Sequence, residues 1–148
     1  MKMTVQPSLR QGLAACGLLF KRRLLYEEFV DPRRCDPRVR AMALELALAA
    51  KLDGFALVVT QVGRTREENI RIYGYDKASG HRERPARAID FSTRNLHDSE
   101  VLKLQNHFSM FLDRGRFWSL LHHNAGHGDH LHLQAPHEPY NTILWEKR

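Results

Sequence analysis

The N-terminal third of the chain carries apolar residues at helical spacing. Four of them recur every three or four positions, which predicts one helix over residues 8–30. They are Leu9, Leu13, Cys16 and Phe20. A second helix is predicted from Pro37 to about Leu52, because Asp36 can cap it and a proline at the first helical position loses no hydrogen bond. Its apolar stripe consists of Val39, Met42, Ala43, Leu46 and Ala50.

Beyond position 54 the pattern alternates between strands and helices. A short β-branched and aromatic run predicts a strand at 55–60, and three more strands are predicted at 86–92, 117–121 and 129–134. Two helices are predicted between them, at 65–73 and from Asp98 or Ser99 to about Leu112. The first of these opens with a capping box of Thr65 and Glu68. Residues 75–86 are polar and predict a long loop.

This order of elements predicts a single small α+β domain. Its central sheet should be mostly antiparallel, with about four strands flanked by helices. We expect N-terminal helices over residues 1–53, a catalytic core over 54–135, and a tail over 136–148 that packs on the outside. No internal repeat, low-complexity tract or linker divides the chain.

Histidines are concentrated near the C-terminal end. Three of the nine lie in the stretch GHGDHLHLQ at residues 126–134, and His122 and His123 directly precede it. A divalent metal is the commonest reason to gather imidazoles in this way. His130 and His132 should point to the same face of the predicted strand, because side chains alternate along a strand. His122 and His123 are interpreted as loop residues rather than ligands.

Other segments can complete a metal site. His81 lies in the loop before the second strand, and Asp90 lies inside that strand. Two imidazoles and one carboxylate would leave a tetrahedral zinc ion with an open position for water, which is the catalytic pattern. Asp129 is a candidate general base, provided that a bend at Gly128 brings it to the site. Arg64 could hold a substrate carboxylate or polarise a carbonyl group.

The composition narrows the range of partners. The 148 residues carry a net charge of +6 and a pI near 9.7, which favours nucleic acid, anionic lipid or an acidic wall polymer. Cys16 and Cys35 match neither a zinc knuckle nor a redox pair. Residues 12–20 faintly resemble a signal-peptide core, but three basic residues follow where a cleavage site should be. We therefore expect no signal peptide and no transmembrane segment.

Four segments occur in an order that resembles a known enzyme family. They are GRTREEN at 63–69, SGH at 79–81, RAID at 87–90 and DHLH at 129–132. Residues 55–134 resemble the zinc D-Ala-D-Ala carboxypeptidases and L-alanyl-D-glutamate peptidases. This group includes VanX- and VanY-like enzymes and phage endolysins, and its fold is similar to the hedgehog signalling domain. The resemblance implies that fold and a bound Zn²⁺.

The resemblance also implies residue roles. The implied zinc ligands are His81, Asp90 and His132. Arg64 corresponds to the arginine that follows the first strand of the family. Some members have an acidic residue three positions before the last ligand as the base, which implies Asp129. Others have a His-x-His pair, which implies His130 at the catalytic water, so both residues are candidates.

One loop departs from the family pattern. Eight residues separate His81 from Asp90 where the family usually has six, and the usual glycine of that loop is absent. Glu83 lies at the expected spacing and is a rival first ligand. His81 is preferred because the local Ser-Gly-His motif is retained and a loop tolerates insertions.

The leading hypothesis is a zinc-dependent peptidase that hydrolyses peptidoglycan stem peptides at D-Ala-D-Ala or L-Ala-D-Glu bonds. We expect a monomer that is made in the cytoplasm and acts on the cell wall if released, without nucleic acid or membrane insertion. One alternative is a nucleic-acid-binding or metal-dependent nuclease domain, based on the charge and the sequence His122-His123-Asn124. Another is a relative that binds the same ligand without catalysis.

Overall fold

A computed structural model describes residues 8–111, 118–124 and 128–137. Its helices are α1 (Leu9–Ala15), α2 (Arg23–Val30), α3 (Pro37–Leu52), α4 (Arg66–Tyr73) and α5 (Asp98–Phe111), with a 3₁₀ turn at Gly80–Arg82. Its strands are β1 (Leu18–Phe20), β2 (Leu57–Gln61), β3 (Ala88–Ser92), β4 (Ser119–Asn124) and β5 (Asp129–Gln134). No helix in these ranges is long and apolar enough to cross a membrane.

The strands form one mixed sheet in the order β1-β2-β3-β5-β4. β1 and β2 pair in parallel, whereas the other three pairings are antiparallel. The predicted α+β class is therefore confirmed. The expectation of about four strands is wrong, because the N-terminal segment supplies a fifth. The hedgehog-like topology stays a prediction.

The single helix predicted over residues 8–30 is wrong, because β1 divides it. α1 ends at Ala15, and Gly17 follows with a left-handed φ of 87°. A Cβ on Gly17 would lie only 2.9 Å from the carbonyl oxygen of Ala47, so only glycine fits this close approach. Leu18 and Phe20 are then buried, with an exposed Leu19 between them, which is the two-residue period of a strand. Residues 1–53 thus contribute to the sheet as well as to helices.

The prediction for α3 is confirmed. The helix begins at Pro37, and the Asp36 carboxylate accepts a hydrogen bond of 2.8 Å from the backbone N–H of Arg38. All five residues of its predicted apolar stripe are buried. α3 contacts α5 and packs against β1, β2, β3 and β5. The core therefore lies between the helices and one face of the sheet.

The central and C-terminal elements also follow the predictions, with shifted ends. α4 has the predicted capping box of Thr65 and Glu68, and residues 75–86 include the 3₁₀ turn. β4 continues to Asn124, so His122 and His123 lie on a strand and not in a loop. The predicted start of that strand at Phe117 lies outside the described residues. So do Pro139, Tyr140 and Trp145 of the predicted outer tail.

Candidate metal centre

The centre is built on the pairing of β3 with β5. Asp90 is the register partner of His132, and both lie in the middle of their strands. Ile89 and Phe91, on either side of Asp90, belong to the hydrophobic core. Because side chains alternate along a strand, Asp90 points to the opposite face. Its side chain is nevertheless only 7% exposed, so its charge needs neighbouring cationic groups.

Three histidines surround this carboxylate. Asp90 Oδ1 lies 2.8 Å from Nδ1 of His132 and 3.1 Å from Nε2 of His81. The second oxygen, Oδ2, lies 3.8 Å from Nε2 of His130. The sequence prediction that His130 and His132 share a face is therefore confirmed.

The electrostatic coupling in this cluster favours ionised groups. Burial alone would raise the pKa of Asp90, but the neighbouring His81 and the hydrogen bond from His132 hold that pKa well below its usual range. Burial would likewise lower the pKa of His132, but its hydrogen bond to Asp90 leaves that pKa raised. Without metal, His132 therefore binds a proton more tightly than a free histidine does.

His81 has the ring orientation of a metal ligand. Its Nδ1 lies 2.6 Å from the carbonyl oxygen of Val62. Since a carbonyl only accepts hydrogen bonds, Nδ1 carries the proton and Nε2 faces Asp90. This buried Nε2 makes no hydrogen bond with any described residue, although it lies so close to a carboxylate oxygen. A shared cation, either a proton or a metal ion, would satisfy both atoms.

The loop around His81 is tied to neighbouring segments. The Ser79 hydroxyl accepts a hydrogen bond of 3.2 Å from the backbone N–H of His81. The His81 carbonyl accepts one of 2.8 Å from the backbone N–H of Arg64. A Cβ on Gly80 would lie 2.8 Å from Oε1 of Gln134, and this same oxygen is 3.1 Å from Nε2 of His132. Gly80 and Gln134 thus help to position both histidines.

Three side chains in this cluster could hold a metal ion. One donor atom each from His81, Asp90 and His132 lies within 4.8 Å of the other two. We call these residues the inner triad. Two imidazole nitrogens and one carboxylate oxygen suit a divalent transition metal, and they leave a coordination position for water. The uncompensated Nε2 of His81 fits such an ion.

Glu83, the rival ligand, lies elsewhere. Its carboxylate pairs with Arg87 and lies 3.1 Å from Nδ1 of His137. It belongs to neither group of potential metal ligands in the described part of the chain. The geometry brings His81, and not Glu83, to Asp90.

Arg64 is buried beside the inner triad. Only 2% of the residue is exposed, and its charge opposes a small part of the rise in the pKa of His132 that Asp90 causes. Its Nη1 donates a long hydrogen bond of 3.4 Å to Asn69, and its guanidinium carbon lies 5.7 Å from the centre of the Tyr73 ring. The buried Nε makes no hydrogen bond with a described residue. A buried guanidinium with so few contacts can bind an anionic group of a ligand.

Asn69 holds Arg64 and the following loop together, a role that the sequence did not reveal. Besides accepting from Arg64, its amide donates to Asp76 at 2.9 Å and to the Lys77 carbonyl at 2.7 Å. Hydrogen bonds from Arg82, and secondly from Asn69, lower the pKa of Asp76 to about 2. The loop therefore carries an ionised aspartate that keeps Asn69 in place.

The two candidate bases have different surroundings. His130 is buried, and its Nδ1 donates to the carbonyl of Gly128 at 3.0 Å, which turns Nε2 towards Asp90. Asp129 is exposed and belongs to neither group of potential metal ligands. Gly128 has a φ of 106°, so the backbone does turn before Asp129 as the prediction required. His130 is the candidate base that contacts the cluster.

His123 joins the cluster from β4. It is the register partner of His130, and the ring centres of these two residues are 4.4 Å apart. Its ring centre is 5.8 Å from that of His132. The sequence prediction assigned His123 to a loop, but pairing residues 119–124 with 129–134 as a hairpin would have identified it.

Two cavities meet at this centre. The first has a volume of about 230 Å³ and contains the inner triad, His123 and Gln134 in its lining. The second has a volume of about 500 Å³ and is lined by Lys21, Arg94 and Asp129, among others. Both are also lined by Arg64, Asp90 and His130. A ligand could therefore extend from the centre in two directions.

No protein-family model matches this chain, and neither the curated proteins nor the solved structures include a significant match to it. The resemblance to zinc peptidases therefore stays a prediction.

Proposed function

We propose that the chain is a zinc-dependent peptidase that hydrolyses peptidoglycan stem peptides. The observation that carries this proposal is the buried His81–Asp90–His132 cluster with the buried Arg64 beside it. A structural zinc site would be closed and usually rich in cysteine, whereas these three donors leave room for water. The arginine adds a group that can bind an anion or a polarised carbonyl.

The inner triad would hold the ion, and zinc bound there lowers the pKa of a water ligand and polarises a carbonyl group. Arg64 binds the carbonyl oxygen or a carboxylate of the peptide. His130 accepts a proton at Nε2 when water attacks, and it returns a proton to the departing amine. His130 is favoured over Asp129 because its Nε2 already lies 3.8 Å from Asp90 Oδ2.

The cavities support a peptide substrate with carboxylate groups. A chain that crosses the centre would place residues in both cavities, with its scissile bond near Asp90. Lys77 lines the smaller cavity, and Lys21 and Arg94 line the larger one. These cations suit the acidic stem peptides of the bacterial wall, and we propose that the protein acts there.

The test is release of soluble muropeptides from purified peptidoglycan by the zinc-loaded protein. We expect chelation to stop release, and Asp90→Ala and His132→Ala to reduce it to background. Glu83→Gln is the control, because Glu83 lies in the same loop as His81 but outside the cluster. Full activity of the Asp90→Ala and His132→Ala variants would refute the proposal.

A further inference from the structure

We propose that His123, His130 and His132 form a second metal-binding triad, which overlaps the inner triad at His132. One nitrogen from each of these three residues lies within 4.8 Å of the other two. We call this group the outer triad. The proposal concerns metal binding alone and does not depend on peptide hydrolysis.

The positions of the three rings follow from the β4–β5 hairpin. His123 and His130 are register partners, and His132 lies two residues further along β5. All three side chains therefore occupy one face of the sheet. His122 lies next to His123 but is the register partner of Leu131, so it belongs to the opposite face.

His130 is oriented as a ligand in the same way as His81. Each ring has its Nδ1 hydrogen-bonded to a backbone carbonyl, that of Gly128 for His130 and that of Val62 for His81. In both residues Nε2 is then directed towards Asp90. A hydrogen bond of this kind fixes the tautomer and the orientation of a metal-binding imidazole.

The two triads should differ in their preferred ions. The outer triad offers three imidazole nitrogens and no carboxylate, a donor set that suits Zn²⁺, Cu²⁺, Ni²⁺ or Co²⁺ and not Mg²⁺ or Ca²⁺. His123 is exposed, whereas His81 and Asp90 are buried. Because of this difference in exposure, we infer that the outer triad is the more accessible position.

Cobalt titration followed by visible absorption tests this inference. We expect His81→Ala to retain one saturable Co²⁺ site with an affinity at least roughly 10- to 100-fold lower than that of the unsubstituted protein. Loss of a residue that only hydrogen-bonds to a ligand already costs that much, and His81 is itself a proposed ligand. The double variant His81→Ala/His123→Ala should lose saturable binding, whereas the control His81→Ala/His122→Ala should bind like His81→Ala. Equal binding by the two double variants, or no binding by His81→Ala, would overturn the inference.

A second measurement leaves the buried ligands intact. His123→Cys replaces an exposed side chain, and a thiolate near the ion should add a sulfur-to-cobalt charge-transfer band. His122→Cys on the other face should add none. Absence of the band in His123→Cys would also overturn the inference, and neither result depends on whether the protein cleaves peptides.

Discussion

Asp90 determines the chemistry of the centre at the scale of single residues. An isolated buried carboxylate would cost several kcal/mol, and here three imidazoles surround it. Asp90 Oδ1 is hydrogen-bonded to His132 and also lies beside Nε2 of His81, which makes no hydrogen bond with a described residue. Groups that can bind a cation therefore surround one carboxylate oxygen. Under the proposed function, a divalent ion would replace protons in this arrangement.

Replacing Arg64 should separate catalysis from stability. We expect Arg64→Met to lower kcat/KM by roughly 100- to 1000-fold, the usual effect of losing a group that stabilises developing negative charge. We expect no comparable loss in the free energy of unfolding, because methionine fills similar space without a buried charge. Steady-state peptide hydrolysis and urea unfolding would measure the two effects.

Arg71→Met provides the matched control for this substitution. Arg71 is an exposed residue of α4, the helix that follows Arg64, so its replacement should leave kcat/KM unchanged. An Arg64→Met variant with the activity of the Arg71→Met variant would show that Arg64 has no role in the reaction.

Residue types and motif order were sufficient to predict His81, Asp90, His132 and Arg64 as neighbours. They were not sufficient for His123, Gln134 or Asn69. The position of His123 depends on the register of the β4–β5 hairpin. Gln134 lies at the centre because its side chain packs where a Cβ on Gly80 would be, which is a contact between distant segments of the chain. Asn69 acts through a loop path that no periodicity encodes.

At the scale of elements, β3 and β5 supply the rigid part of the centre. Five register pairs join these strands, which fixes Asp90 opposite His132. The remaining candidate ligand, His81, comes from the 3₁₀ turn, whose path is set by contacts with residues 62–64. Both strands were predicted from the sequence, whereas the turn was predictable only as part of a polar loop.

Helical spacing misled the prediction at residues 8–30 because a strand of three residues is too short to interrupt the pattern. Leu13, Cys16 and Phe20 are spaced as in a helix, but Gly17 between them has a left-handed φ and the helix ends before it. The resulting β1 pairs in parallel with β2 and lies at the edge of the sheet. A local pattern does not report such long-range pairing.

Gly17 should be important for the stability of the edge strand β1. Alanine there needs a left-handed conformation, at about 1–2 kcal/mol, and it also clashes with the Ala47 carbonyl. Gly54→Ala is the matched control, because its φ is 86° but nothing lies within 4 Å of the added Cβ. We expect Gly17→Ala to reduce the free energy of unfolding by about 1–3 kcal/mol more than Gly54→Ala does.

Chemical denaturation of both variants would give this difference directly. Equal losses in the two variants would mean that the contact between Gly17 and Ala47 does not restrict the residue at position 17.

At the scale of the whole molecule, metal binding should be coupled to folding and to pH. The raised pKa of His132 means that its proton stabilises the metal-free fold below the ordinary value of 6.5, and this contribution is lost as pH rises through the raised pKa. The lowered pKa of Asp90 adds stability above 3.8 that is lost as pH falls through the lowered pKa. Metal binding has the opposite dependence on His132, because it needs the imidazole unprotonated.

The increase in Tm caused by zinc should therefore be larger at about pH 8 than at about pH 5.5. Each tenfold loss of zinc affinity on acidification removes about 1.4 kcal/mol of stabilisation at saturating metal. Thermal unfolding with and without zinc at the two pH values would show this. In the His132→Ala variant the zinc effect should be small at both, and an unchanged effect would mean that zinc binds elsewhere.

Four basic side chains line the two cavities around the buried Asp90 carboxylate: Lys21, Arg64, Lys77 and Arg94. The sequence predicted the residues of the inner triad. It did not predict that Arg64, Asp90 and His130 would border both cavities, because that depends on how β3, β5 and the segment between β2 and α4 pack together.

Product mass analysis on a defined stem peptide tests the central claim most directly. The peptide would contain both an L-Ala-D-Glu and a D-Ala-D-Ala bond and would be incubated with metal-free and zinc-reconstituted protein. The account predicts cleavage of one peptide bond by the zinc-reconstituted protein only. The masses of the two fragments should add up to the mass of the peptide plus one water. Intact peptide in the presence of zinc, or equal cleavage by the metal-free protein, would contradict it.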